Sequence, residues 1–151
     1  MKNYFFFITF LLLMTACTQK HFYNKFEAVD IKKWQIEDTV NFITEIKEVS
    51  AAYNVSIAAR YSKEYEFNNL WLQVIETYNG ITKTNKIEVP LFKKDGSPYG
   101  ETSGSLSTQI IPIHKDMKFP KEGKFSIRIV QLMRKNPLDG ISDIGVIIDK
   151  K

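Results

Sequence analysis

From Val40 to Ile148 the chain alternates between apolar and polar residues with a period of two. Val40, Phe42, Thr44 and Ile46 point one way, and Asn41, Ile43 and Glu45 the other. Tyr53, Val55, Ile57, Ala59 and Tyr61 form a second stripe, backed by Asn54, Ser56, Ala58 and Arg60. Leu70, Leu72 and Val74 form a third, with Trp71, Gln73 and Ile75 behind it. Ile87, Val89 and Leu91 continue the series, followed by a run near Ser107 to Ile113, then Phe125, Ile127 and Ile129, and last Ile144, Val146 and Ile148. Successive side chains on a strand point to opposite faces, so each run predicts a half-buried antiparallel strand.

Turn chemistry separates the runs. Asn79-Gly80 has the composition of a two-residue hairpin turn. Asp95-Gly96-Ser97-Pro98, Lys121-Glu122-Gly123 and Asn136-Pro137-Leu138-Asp139-Gly140 break the alternation in the same way. Glu45 to Ala52 has some helical spacing but fits a strand end and loop equally well. Short strands with regular turns predict an all-β fold: a single antiparallel β-sandwich, immunoglobulin-like or jelly-roll-like, of about seven or eight strands. The Gly- and Ser-rich stretch from Lys93 to Ser105 predicts a long surface loop.

The start of the chain follows a different pattern. Lys2 precedes an apolar run from Tyr4 to Leu13, then Met14-Thr15-Ala16 and Cys17, the only cysteine. A basic head, an apolar segment and small residues before a cut describe a secretory signal peptide, and a run this short does not span a bilayer. Small residues directly before a cysteine describe a bacterial lipobox, with Met14 where leucine is usual. Cleavage would then fall between Ala16 and Cys17, with lipid on the Cys17 sulfur. The expected organisation is a signal peptide over 1–16, a lipidated N-terminus and short tether over 17–28, and the sandwich over 29–151. Acylation would occupy the only thiol, leaving no disulfide, thiol nucleophile or cysteine metal site.

Charge changes this picture little. The net charge is +4, and loss of Lys2 with the signal peptide lowers it to +3. The basic residues are scattered rather than striped, so no nucleic-acid partner is expected. His21 and His114 are the only histidines, too few for a zinc site without carboxylates. No Gly-x-Ser-x-Gly elbow or Gly-Lys-Ser/Thr phosphate loop occurs. Glu64 and Glu66 fit a solvated loop better than an acid/base pair. Asp139, Asp143 and Asp149 lack the spacing of a calcium loop. No catalytic residue, metal, cofactor or small-molecule substrate is expected.

Contact residues remain. Trp71 lies opposite the Leu70/Leu72/Val74 stripe. It is either covered, as tryptophan usually is, or an exposed anchor for a protein or glycan. Tyr99, inside the predicted loop, is a contact residue or a tyrosine lying on the sandwich edge. Asp38-Thr39-Val40 resembles a short bacterial O-glycosylation motif, with Thr39 as acceptor.

Taken together, the segments resemble the gliding-motility lipoprotein GldH family. The resemblance runs through Tyr23, Phe26, Trp34, Asp38-Thr39-Val40-Asn41-Phe42, Tyr53-Asn54-Val55, Arg60, Tyr65 and Asn68-Asn69-Leu70-Trp71-Leu72. It is strongest at Phe119-Pro120, Gly123-Lys124-Phe125, Gln131-Leu132-Met133-Arg134 and Leu138 to Gly145. It implies an outer-membrane lipoprotein, non-enzymatic, accessory to gliding and to the linked type IX secretion of adhesins, with protein partners in that machinery. The alternative is a surface carbohydrate- or calcium-binding β-sandwich. Thr18-Gln19-Lys20 after the anchor carries no acidic run that would direct display, which favours the periplasmic face of the outer membrane.

Overall fold

The structure, a computed structural model, describes residues 21–151. Nine strands are present: β1 (Tyr23–Ala28), β2 (Val40–Ile46), β3 (Tyr53–Ser62), β4 (Asn69–Tyr78), β5 (Ile81–Pro90), β6 (Glu101–Ser103), β7 (Leu106–Met117), β8 (Gly123–Gln131) and β9 (Ile141–Lys150). They form two antiparallel sheets, one ordered β1-β9-β3-β7-β6 and the other β2-β8-β4-β5. The expected sandwich is observed, with strands at all seven patterned runs and two more, β1 and the three-residue β6.

Inward stripes meet between the sheets. Phe42 and Ile46 from β2, Leu70, Leu72 and Val74 from β4, and Phe125, Ile127 and Ile129 from β8 face Val55, Ile57, Ala59 and Tyr61 from β3 and Ile144, Val146 and Ile148 from β9. All are buried, and burial of apolar area at about 25 cal/mol per Å² is what holds two sheets together. The central strands β3 and β9 are covered almost throughout, whereas the outer half of β5 is exposed on both faces. That half, Ile81 to Lys86, has no apolar stripe; its ladder with β4 holds it in place.

Two segments differ from expectation. Residues 23–28, expected in the tether, form β1 and pair with β9 from Tyr23↔Ile148 to Ala28↔Asp143. Pairing is possible because Gly145 has no side chain: a Cβ there would sit 2.7 Å from the Phe26 ring. The expected loop from Lys93 to Ser105 is also more ordered. Its last part is the β6–β7 hairpin, and its first part folds on an Asp95 turn whose carboxylate accepts from the Ser97 N–H at 3.0 Å. The Asn79-Gly80 turn has φ of 50° and 81°, the left-handed pair that a two-residue hairpin requires.

The connections gather at two ends. One end holds His21, the 47–52 loop, the Asn79-Gly80 turn, the 118–122 loop and Lys151. The other holds the segments 29–39, 63–68, 91–100 and 132–140.

Candidate functional site

Cys17 and the Ala16–Cys17 cleavage point lie outside the described residues. The remaining expected contact residues are placed apart. Trp71 is half-buried on the outer face of the β2-β8-β4-β5 sheet, with the Lys86 ammonium 4.4 Å from its ring centroid. Phe67, Asn69, Met133 and Arg134 complete a shallow depression around it. The Lys86 ammonium therefore covers the ring face that a sugar would stack on. Tyr99 is 51% exposed in the 91–100 connection, with Lys93 5.8 Å from its ring centroid. No aromatic contact joins the two rings among the described residues.

Tyr61 fixes the backbone beneath Tyr99. Its hydroxyl donates to the Leu91 carbonyl at 2.6 Å and accepts from the Gly100 N–H at 3.4 Å. Thr39 is exposed, just before β2, at the rim of an open groove lined by Glu27, Asp30, Glu37 and Asp38. Trp34 is the floor of that region, fully buried, and its indole N–H donates to the Asp38 carbonyl at 2.9 Å.

The acids considered for calcium are not brought together. Asp139 pairs with Lys135 at 2.9 Å, Asp143 with Arg60 at 3.6 Å, and Asp149 with His21 at 2.6 Å. Among the described residues, no three His, Cys, Asp or Glu side chains gather as metal ligands would. Glu66 lies in the loop expected for it and reaches Lys135 at 2.9 Å. Arg60 has a structural account. Its guanidinium lies 4.3 Å from the Phe26 ring centroid, so Arg60, Phe26 and Gly145 form one stack on the outer face.

The polar feature that the pattern did not single out spans the two sheets. Glu76 continues the inward stripe Leu70/Leu72/Val74 on β4 and is 6% exposed. Its carboxylate meets His114 Nε2 on β7 at 2.7 Å, and the Asn85 side-chain N–H donates to it at 3.4 Å. His114 points inward because β7 bulges. Ser56 pairs with Pro112 and Val55 with His114, so Ile113 is the extra residue. Residues directly opposite share a face, so His114 shares the buried face of Val55. The signal available from sequence was the in-phase position of Glu76; the bulge left no signature.

This pair closes the open side of the sandwich, where β5 is an edge strand and β6 covers β7 only at Leu106 to Thr108. A cleft of about 490 Å³ lies along Asn85 to Glu88 and Pro112 to His114. Beyond the pair, Tyr78, Ile81, Met117 and Phe119 line a smaller, more apolar one. Pro112 has no N–H to offer another strand, which blunts this edge.

These features define a small two-sheet antiparallel β domain in which Arg60, Trp71, Asp139, Asp143 and Asp149 are engaged by other parts of the same chain. Residues 21–148 match the GldH lipoprotein family, and the chain belongs to that family. It is 28% identical over 148 residues to the gliding motility lipoprotein GldH of Flavobacterium johnsoniae, across 93% of this chain and 91% of that one. It is 29% identical over 154 residues to the gliding motility lipoprotein GldH homolog of Christiangramia forsetii, across 97% of this chain and 94% of that one.

Proposed function

We propose that this chain is a lipid-anchored, non-enzymatic component of gliding motility and of the adhesin secretion linked to it. Acyl chains on Cys17 hold it at the outer membrane, on the periplasmic face, and the β-sandwich contacts protein partners of that machinery. Family membership across residues 21–148 carries this proposal, and the Cys17 lipobox supports the anchor. Two or more acyl chains hold a protein at a membrane far longer than one does. Confinement to that surface raises effective concentration, so a weak contact suffices for assembly.

The experiment is deletion of the gene in its own host, with complementation by the parent and by Cys17→Ser. The expected result is loss of surface movement and of adhesin export, restored by the parent and not by Cys17→Ser. Normal movement and export after deletion would defeat the process assignment. Full rescue by Cys17→Ser would defeat the anchor.

A further inference from the structure

The end of the sandwich that carries His21 differs from the other in charge. Around it lie the exposed Lys115, Lys118, Lys121 and Lys124. Of the acids nearby, Glu48 pairs with Lys150 at 2.8 Å, Asp116 with Lys151 at 2.6 Å, Asp149 with His21, and Glu45, opposite Lys124 in the β2–β8 ladder, with Lys47 at 3.4 Å, while the exposed Glu122 makes no salt bridge among the described residues. The four lysines have no acidic salt-bridge partner among the described residues. Lys151, and more weakly Lys115 and Lys118, hold the Asp116 carboxyl below its usual range. At the opposite end lies the groove lined by Glu27, Asp30, Glu37 and Asp38.

Apolar groups project among these lysines. Ile81, at the tip of the β4–β5 hairpin, is 68% exposed, and Val49 and Phe22 are 38% and 37% exposed. The loops that bear them are braced from behind. Phe119 is buried, stacks on Tyr53 and Phe125, and leaves its neighbours Lys118 and Pro120 exposed. The Tyr78 hydroxyl donates to the Lys121 carbonyl, and the Phe22 ring lies 5.3 Å from Tyr53.

We infer that this end of the sandwich is a docking face for an anionic lipid surface, with Lys115, Lys118, Lys121 and Lys124 among the headgroups and Ile81 at the apolar boundary. The inference deepens the proposed anchor and rests on it for orientation. From Cys17 to His21 the chain reaches at most about 14 Å, at about 3.5 Å per residue. A short tether leaves this end facing the lipid. Each lysine near an anionic surface adds to binding, in a salt-dependent way. Cation and apolar side chain together suit the layered chemistry of an interface. The end that carries the groove of Glu27, Asp30, Glu37 and Asp38 is then directed away from the membrane, towards protein partners.

Two measurements test this. The full chain carrying Cys17→Ser is mixed with phosphatidylcholine vesicles and with vesicles that also contain phosphatidylglycerol, and sedimentation is read against salt. Anionic vesicles are expected to bind it more tightly, and the combined Lys115→Gln, Lys118→Gln, Lys121→Gln and Lys124→Gln variant to bind them at least about tenfold less. The combined Lys32→Gln, Lys33→Gln, Lys93→Gln and Lys94→Gln variant, altered at the other end, is expected to bind as the parent does. Equal binding to both vesicles, or equal loss from both variants, would overturn the docking face.

The second measurement uses the acylated chain carrying Ile81→Trp in vesicles of brominated lipid. The fluorescence added at position 81 should be quenched more than that of the native Trp34 and Trp71. Quenching no greater than in the parent would overturn the orientation. Labelling of the native protein with a palmitate analogue separates the two ideas. Acylation without anionic preference refutes the face alone, and anionic preference without acylation refutes the anchor alone.

Discussion

Glu76 and His114 meet at 2.7 Å across the gap between the two sheets, on the side of the sandwich that no strand closes. The carboxylate stands in the row occupied by Leu70, Leu72 and Val74, where an unpartnered charge would be costly. His114→Ala removes its main partner and should lower stability by about 1–3 kcal/mol. Glu76→Leu extends the apolar row and leaves the imidazole partly hydrated. It should cost less than His114→Ala or even stabilise, as replacement of buried polar pairs often does. Urea unfolding checks the order; a larger loss from Glu76→Leu would contradict the account.

Gly145 on β9 leaves the space in which the Phe26 ring of β1 lies. Gly145→Ala places a methyl 2.7 Å from that ring and should destabilise by about 1–3 kcal/mol through overpacking. Combined with Phe26→Ala, which clears the space, its effect should shrink. A double-mutant cycle giving strictly additive losses would show that the contact is not the cause.

At the β4–β5 hairpin tip, a methyl on Gly80 would meet nothing within 4 Å, yet φ is +81°. Gly80→Ala should therefore cost about 1–2 kcal/mol from backbone conformation alone. Thermal unfolding that is unchanged in this variant would argue against the turn.

Burial raises the phenol pKa of Tyr53, Tyr61 and Tyr65, most strongly at Tyr65. A raised folded-state pKa contributes stability that is complete below the unfolded value, about 10, and is lost as pH climbs towards the folded one. Stability should therefore decline above about pH 10. Tyr65→Phe should flatten that decline while costing about 1 kcal/mol at neutral pH, through the lost bond to the Asn69 carbonyl. Equal alkaline slopes for parent and variant would remove Tyr65 as the source.

Much of this arrangement was legible from local chemistry. Alternation located β2, β3, β4, the inner half of β5, β7, β8 and β9, because each buries one face and shows it as a stripe. Asn79-Gly80 marked its hairpin because few residue pairs tolerate two positive φ angles. Lys83 to Lys86 carried no such sign, because an edge strand exposed on both faces has no apolar stripe to display. Tyr23 to Ala28 escaped for a related reason: it shows no apolar stripe, since Tyr23 packs against the core and Phe26 against a glycine 119 residues away. Glu76 was visible as an in-phase polar residue, but its partner was not, since the bulge that turns His114 inward depends on β7's register with β3.

The sequence by itself determined the class of fold, the position of the candidate lipid anchor and the family, because these reside in local periodicity and short contiguous motifs. Tertiary structure alone decided which separated residues share a surface. It covered Trp71 with Lys86, set Asp139, Asp143 and Asp149 apart, joined Glu76 to His114, and gathered Lys115, Lys118, Lys121 and Lys124 near Phe22 and Ile81 at one end. Such neighbours arise from strand order and register, which depend on how whole stripes pack against one another rather than on any one segment.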